Sequence, residues 1–323
     1  MDLKGRHILV IGGAGFIGSH LVDQLLQEDV AQVVVYDDFT RGRHENLEAV
    51  GRDPRVHVFE AGGNIQHTDL LHAAMRGVEC VFHLAALWLL HCQDYPRSAF
   101  EVNVRGTFNV LEACVANSVQ RLVFSSSASV YGDAVTVPMA EDHPLANRTF
   151  YGATKIAGEQ MCRAFHHRYG LDYVGLRYMN VYGPRQEERS VYTTVITKAL
   201  DRIDQGLPPV VYGDGSQTYD FVYVEDAARA NVCAARSEAT DRCYNVGTGG
   251  ATSVRELVEL ILALTGSPLS IHCEPAGETF VTRRVGSTLA AMRDLGFQAK
   301  VELAEGLRRL IQYRSGRRGA AVP

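Results

Sequence analysis

Nowhere in these 323 residues does an apolar run approach the ~18 residues that a membrane-spanning helix needs, so a transmembrane protein is not expected. Charge of one sign is lacking too. The 32 lysines and arginines stand against 37 acidic residues, mixed along the chain for a net charge of −5, and nothing favours a nucleic-acid or anionic-membrane partner. Cysteine is sparse and scattered: Cys80, Cys92, Cys114, Cys162, Cys233, Cys243 and Cys273 are odd in number and show no C-x-x-C spacing. They read as reduced thiols of a cytoplasmic protein, mostly small core residues. No metal is expected, because His91 and Cys92 are adjacent without a partner pair at ligand spacing, and His166-His167 reads as helix surface. A charged leader, long apolar stretch and cleavage site are absent in that order, as are internal repeats and low-complexity segments.

Against those absences stands a regular alternation. Short β-branched runs at His7-Ile11, Val33-Tyr36, Val56-Phe59, Cys80-Leu84, Arg121-Ser125 and Tyr173-Arg177 are separated by amphipathic stretches. Buried parallel strands joined by crossover helices have this pattern, so the expected fold class is α/β with a Rossmann-type doubly wound parallel sheet. After Asn180-Val-Tyr-Gly-Pro-Arg185 glycine and proline punctuate shorter segments, and a boundary near residue 178 divides a nucleotide-binding domain, 1–178, from a smaller, mainly substrate-binding domain, 179–323. Some segments of the second can return to the first. Helices are expected at Ser253-Leu264 and Leu303-Tyr313, with a frayed, small and charged tail from Arg314.

Gly12, Gly15 and Gly18 follow the first strand and open the amphipathic stretch Ser19-Gln27. Glycines at this spacing allow a tight turn, close approach of backbone to a pyrophosphate, and tight helix packing; alone they also fit an ordinary strand-to-helix turn. Asp37 ends the second strand, 19 residues beyond Gly18, where a carboxylate accepts bonds from an adenosine ribose and repels a 2′-phosphate. NAD is therefore preferred over NADP, although Arg41 and Arg43 follow closely. Tyr151 stands four residues before Lys155, on one helix face, and an ammonium beside a phenol favours phenolate. Ser127 precedes that pair.

With these pieces in order the chain resembles the extended short-chain dehydrogenase/reductases, in particular NAD-dependent nucleotide-sugar epimerases and dehydratases. The resemblance spans nearly the whole chain and includes His83-Leu-Ala-Ala86, Asn103-Val-Arg-Gly-Thr107, Ser125-Ser-Ser-Ala-Ser-Val-Tyr-Gly132, Leu176-Arg-Tyr-Met-Asn-Val-Tyr-Gly-Pro-Arg185, Tyr212-Gly-Asp-Gly215 and Phe221-Val-Tyr-Val-Glu-Asp226. It implies a catalytic set of Ser127, Tyr151 and Lys155. It also implies cofactor contacts from Phe16, Ile17, Asp38, Thr40, Arg41, Gly42, Asn64, Ile65, Leu84, Ala85, Ala86, Asn103, Ser125 and Tyr178 beside the glycines and Asp37. Trp88, Ser127, Ser129, Asn180, Tyr219, Arg283 and Arg284 become candidates for the substrate.

Departures from the family pattern narrow the chemistry. Dehydratases carry Thr-Asp-Glu where this chain has Ser127-Ala128-Ser129, because elimination of water needs an extra acid and base. Neither Ala128 nor Ser129 can supply them. The favoured expectation is a UDP-sugar 4-epimerase of the UDP-glucose, UDP-N-acetylglucosamine or UDP-glucuronate type; a dehydratase, a reductase or dehydrogenase with net redox, and a dinucleotide-sensing regulator remain alternatives. Tyr219 replaces an arginine that binds the diphosphate in relatives, and a second family arginine is missing from Pro275-Ala-Gly-Glu278. Arg283 and Arg284 either supply that charge or are solvated helix-entry residues. Trp88 either walls the sugar site or packs. Helices around Ala99-Ala116 and Tyr151-Tyr169 resemble the faces through which relatives form homodimers.

Overall fold

The computed structural model describes residues 1–186, 195–276 and 281–320. Six strands come from the runs read above: β1 (His7–Ile11), β2 (Gln32–Tyr36), β3 (Val56–Val58), β4 (Cys80–His83), β5 (Arg121–Ser127) and β6 (Tyr173–Tyr178). Short strands follow at β7 (Asn180–Tyr182), β8 (Val210–Tyr212), β9 (Thr218–Tyr219) and β10 (Phe221–Tyr223). Then come β11 (Arg242–Val246), β12 (Thr252–Ser253), β13 (His272–Glu274) and β14 (Arg283–Arg284). The main sheet has the order β11-β6-β5-β4-β1-β2-β3, and every pair in it is parallel.

Strand periodicity explains why this sheet is covered twice. Ile8 and Val10 of β1 belong to one core with Leu21, Val22 and Leu25 of the helix Phe16–Leu25, whereas Leu9 and Ile11 enter another with Leu71, Val110 and Cys162. Alternate residues point to opposite faces, and both faces are apolar. The sequence division at residue 178 leaves 224–246 in the second unit. The helix Val224–Arg236 nevertheless supplies Ala227, Ala230 and Ala234 to the first core, and β11 pairs with β6.

A third core gathers Tyr182, Leu200, Val211, Tyr223, Leu257, Ile261, Leu307 and Leu310. Its last helix, Leu303–Ala320, runs past the expected stop at Tyr313. Arg314 is buried there and ion-paired with Asp201 and Asp204, which replaces the expected fray at that residue by an anchor. Among the described residues no helix is long and apolar enough to cross a membrane.

Candidate active site

The helix Phe16–Leu25 begins directly at Gly15, which offers no side-chain cap. Its first backbone N–H groups therefore stay available to an anion at the helix N-terminus. Gly12 has φ of +82°, and a Cβ there would sit 2.8 Å from the Ala85 nitrogen. A Cβ on Gly18 would strike the Gly12 carbonyl. Asp37 braces this turn: Oδ2 accepts from Ala14 N–H at 2.9 Å and Oδ1 from Phe39 N–H at 2.9 Å. Burial pushes its carboxyl pKa up, against the pull of those amide donors.

From Asp37 and Asn64 a cavity of about 960 Å³ runs past the glycine turn to Ser127, Tyr151, Tyr219 and Arg284. Ser127 closes β5 and caps the short turn Ala128–Val130, with its Oγ accepting from Ser129 N–H at 3.1 Å and lying in hydrogen-bond contact with Ser129 Oγ at 3.2 Å. Tyr151 and Lys155 stand in the first turns of the helix Phe150–Tyr169, whose N-terminus is fixed by Thr149 Oγ1 accepting from Gly152 N–H at 3.0 Å. Lys155 Nζ donates to the Ser125 carbonyl at 2.6 Å and lies 5.7 Å from the centre of the Tyr151 ring. Burial pulls its pKa down to about 8.

Burial also dominates the phenol: it pushes the Tyr151 pKa up to about 12, against the downward pull of a hydrogen bond with Ser127 and of the Arg284 and Arg41 charges. Against the expectation that an ammonium beside the phenol favours phenolate, burial is the largest influence on this group. One of the three Lys155 Nζ protons goes to a backbone carbonyl, and Ser127 is the largest influence that favours phenolate. Behind the pair, Glu159 binds Arg177 of β6 through two bonds, at 2.9 and 2.7 Å, and accepts from Ser126 Oγ of β5. One buried carboxylate thereby joins the helix carrying Tyr151 to the two strands that carry Ser127 and Tyr178.

Most of the candidate residues read from the sequence line this one cavity, including Gly12, Gly15, Gly18, Asp37, Ser127, Tyr151, Lys155, Tyr178 and Asn180. Two lie off its wall. Asn103 sits beneath the loop after β4, where Oδ1 accepts from Leu87 N–H at 2.7 Å and Nδ2 donates to Leu87 O at 2.8 Å. Arg283 is exposed, with its N–H on Asp133 Oδ1 at 3.0 Å, while its neighbour Arg284 faces the cavity, as alternate strand residues must. Trp88 lines the cavity under the Arg41 guanidinium, and Tyr219 donates its hydroxyl to Val281 O at 2.8 Å. Gly277 and Glu278 lie outside the described residues.

Sequence reading missed Tyr36, Met179, Gln186, Ile196 and Phe221 on the wall, and Arg185, which the segment ending Gly183-Pro184-Arg185 had marked without a role; Arg43, weighed there only for a 2′-phosphate, lines it too. Arg185 pairs with Asp23 of the first helix at 2.8 Å. Among the described residues of the wall, Asp37 and Asp38 are the sole carboxylates, and both stand at the end away from Tyr151. No three His, Cys, Asp or Glu side chains gather as metal ligands among the described residues.

A parallel doubly wound sheet, a glycine turn under a braced aspartate, and a serine, tyrosine and lysine at one cavity define an extended short-chain dehydrogenase/reductase. The chain belongs to the NAD dependent epimerase/dehydratase family, whose pattern matches residues 8–247. A UDP-glucose 4-epimerase of Mycolicibacterium smegmatis is 35% identical over 313 residues, 94% of this chain and 97% of that one. A dTDP-glucose 4,6-dehydratase of Actinoplanes is 32% identical over 326 residues, 96% of this chain and 98% of that one. Among solved structures, the UDP-N-acetylglucosamine 4-epimerase from Methanobrevibacter ruminantium, in complex with UDP-N-acetylmuramic acid, matches with a TM-score of 0.91 at 31% identity. That match covers 97% of this chain and 99% of that one. The cofactor of the cleft is NAD, and the residues fit it: the Gly12 and Gly18 cradle has no room for a Cβ, and Asp37 directly follows β2 beside it.

Proposed function

We propose that this chain is a nucleotide-sugar epimerase acting as a UDP-sugar 4-epimerase. The observation that carries the proposal is the turn Ser127–Ser129. It brings hydroxyls to the cavity beside Tyr151 but no carboxylate, and Ala128 is buried. NAD, when bound, supplies a hydride acceptor that becomes the donor. Tyr151 Oη takes the carbinol proton and later returns it, while Ser127 Oγ holds the reacting oxygen through a hydrogen bond. Lys155 keeps a positive charge behind the pair.

Dehydration needs a second acid and base at the sugar, and the described wall offers no carboxylate near Tyr151 to serve, although a dehydratase is among the relatives. Arg284, on the cavity side of β14, supplies charge for the diphosphate where Tyr219 cannot. The third core, built mainly from residues after 178, carries the sugar nucleotide as a substrate-binding lobe. We read the protein as a cytoplasmic homodimer.

The test is incubation of the purified protein with UDP-, dTDP-, GDP- and CDP-sugars without added cofactor, followed by separation of isomers. A product of the same mass as its substrate, separable from it, supports epimerisation. Loss of water points to the dehydratase, and reduced cofactor formed in proportion to product points to net dehydrogenation.

A further inference from the structure

In the main sheet β1 alone lies between β2 and β4, so the loops leaving those two strands stand on either side of the glycine turn. Two strand spacings, about 10 Å, separate them. Two long side chains close that gap: the guanidinium carbon of Arg41 lies 4.8 Å from the centre of the Trp88 ring. Both residues line the same cavity as Gly12, Gly15 and Tyr151. The contact therefore joins the loops on either side of the turn that would receive the pyrophosphate.

One jaw is fixed from below. Asn103, in the π-helix Phe100–Gly106, is 3% exposed and grips Leu87 through both of its backbone groups. It also donates to Thr154 Oγ1 at 3.1 Å, which ties the loop carrying Trp88 to the helix carrying Tyr151 and Lys155. The other jaw is borne on the segment after Asp37, which is pinned beyond Arg41 by the Arg43 N–H on the Ala14 carbonyl at 3.1 Å. A guanidinium that meets an indole with its face donates from its edge, so Arg41 can hold a diphosphate oxygen while in contact with Trp88.

We infer that Arg41 and Trp88 form a clasp across the dinucleotide cleft that retains NAD from one turnover to the next. The inference rests on the epimerase reading only in that a reaction without net redox is served by a cofactor that stays. Asn103 is then a positioning residue for the clasp.

Trp88 is the sole tryptophan of the chain, so its emission reports on the clasp directly. Full-length protein and the variants Arg41→Ala, Trp88→Leu, Trp88→Phe and Arg41→Ala with Trp88→Leu are loaded with NADH. Its release is then followed by fluorescence after a large excess of NAD is added, with no sugar nucleotide present. The leucine keeps bulk without the π face, and the phenylalanine keeps the face. Arg41→Ala and Trp88→Leu should each release NADH about tenfold faster, a step within the range of a desolvated cation–π contact. Trp88→Phe should stay near the unaltered protein, and the double variant should release no faster than the quicker single one. The two variants should also emerge from gel filtration depleted of NAD and depend on added cofactor. Unchanged release in either single variant, or effects that multiply in the double, would overturn the clasp. Since no sugar is present, the result stands apart from whether isomers interconvert.

Discussion

At the scale of single residues, the chemistry turns on a phenol that burial makes hard to ionise. Tyr151 is pushed up to about 12, and the hydrogen bond with Ser127 is the largest influence opposing that rise. A base works in its deprotonated form, so kcat/KM should climb as pH rises and more phenolate is present. Ser127→Ala removes the opposing bond and should move that rising limb to higher pH. Tyr151→Phe should lower turnover by ~10²–10⁴ while NAD stays bound. A Ser127→Ala profile that rises at the same pH as the unaltered protein would exclude Ser127 as the aid to phenolate. Tyr151, Lys155 and Ser127 were legible because their spacing is local or in a family order. The direction of the Lys155 ammonium was not, since it depends on the carbonyl of Ser125, thirty residues away in the chain.

At the scale of elements, Glu159 decides how the helix Phe150–Tyr169 sits on the sheet. It is 3% exposed, and its partner Arg177, 7% exposed, also donates to Tyr131 Oη and the Glu141 carbonyl. Removing one member of such a pair strands a buried charge, at about 3–5 kcal/mol. Glu159→Ala should lower the unfolding free energy by that amount in urea titrations, and Glu159→Ala with Arg177→Met should recover part of it. A loss below about 1 kcal/mol would show that the pair is solvated rather than structural. The strands β1 to β6 were readable from composition and alternation, to within a few residues at their ends. The extension of the last helix was not: Arg314 looks solvated in a run of glycine, serine and arginine, and its partners Asp201 and Asp204 lie more than a hundred residues earlier.

At the scale of the whole molecule, two neighbouring helices carry an apolar face that the described residues leave uncovered. Phe100, Phe108, Phe150, Tyr95 and Tyr169 are each at least 41% exposed, and Phe165 meets Phe108 and Tyr169 at 5.4 and 5.3 Å. Exposed aromatic surface of this kind suits a second copy of the chain. Sedimentation should give twice the chain mass, and Phe108→Asp should give single chains at micromolar concentration; an unaltered protein that sediments as one chain would remove the dimer. The sequence marked a change of character near residue 178 and allowed later segments to return, but did not say that β11 is the one that does, because strand pairing across that distance leaves no local mark. That return has a practical meaning. A fragment ending at 178 would lose the outermost strand and present Tyr173–Tyr178, apolar and unpaired along one side, to any other chain in solution. Such a fragment should aggregate where the intact chain stays dispersed, so residues 1–178 should fail as a unit of expression.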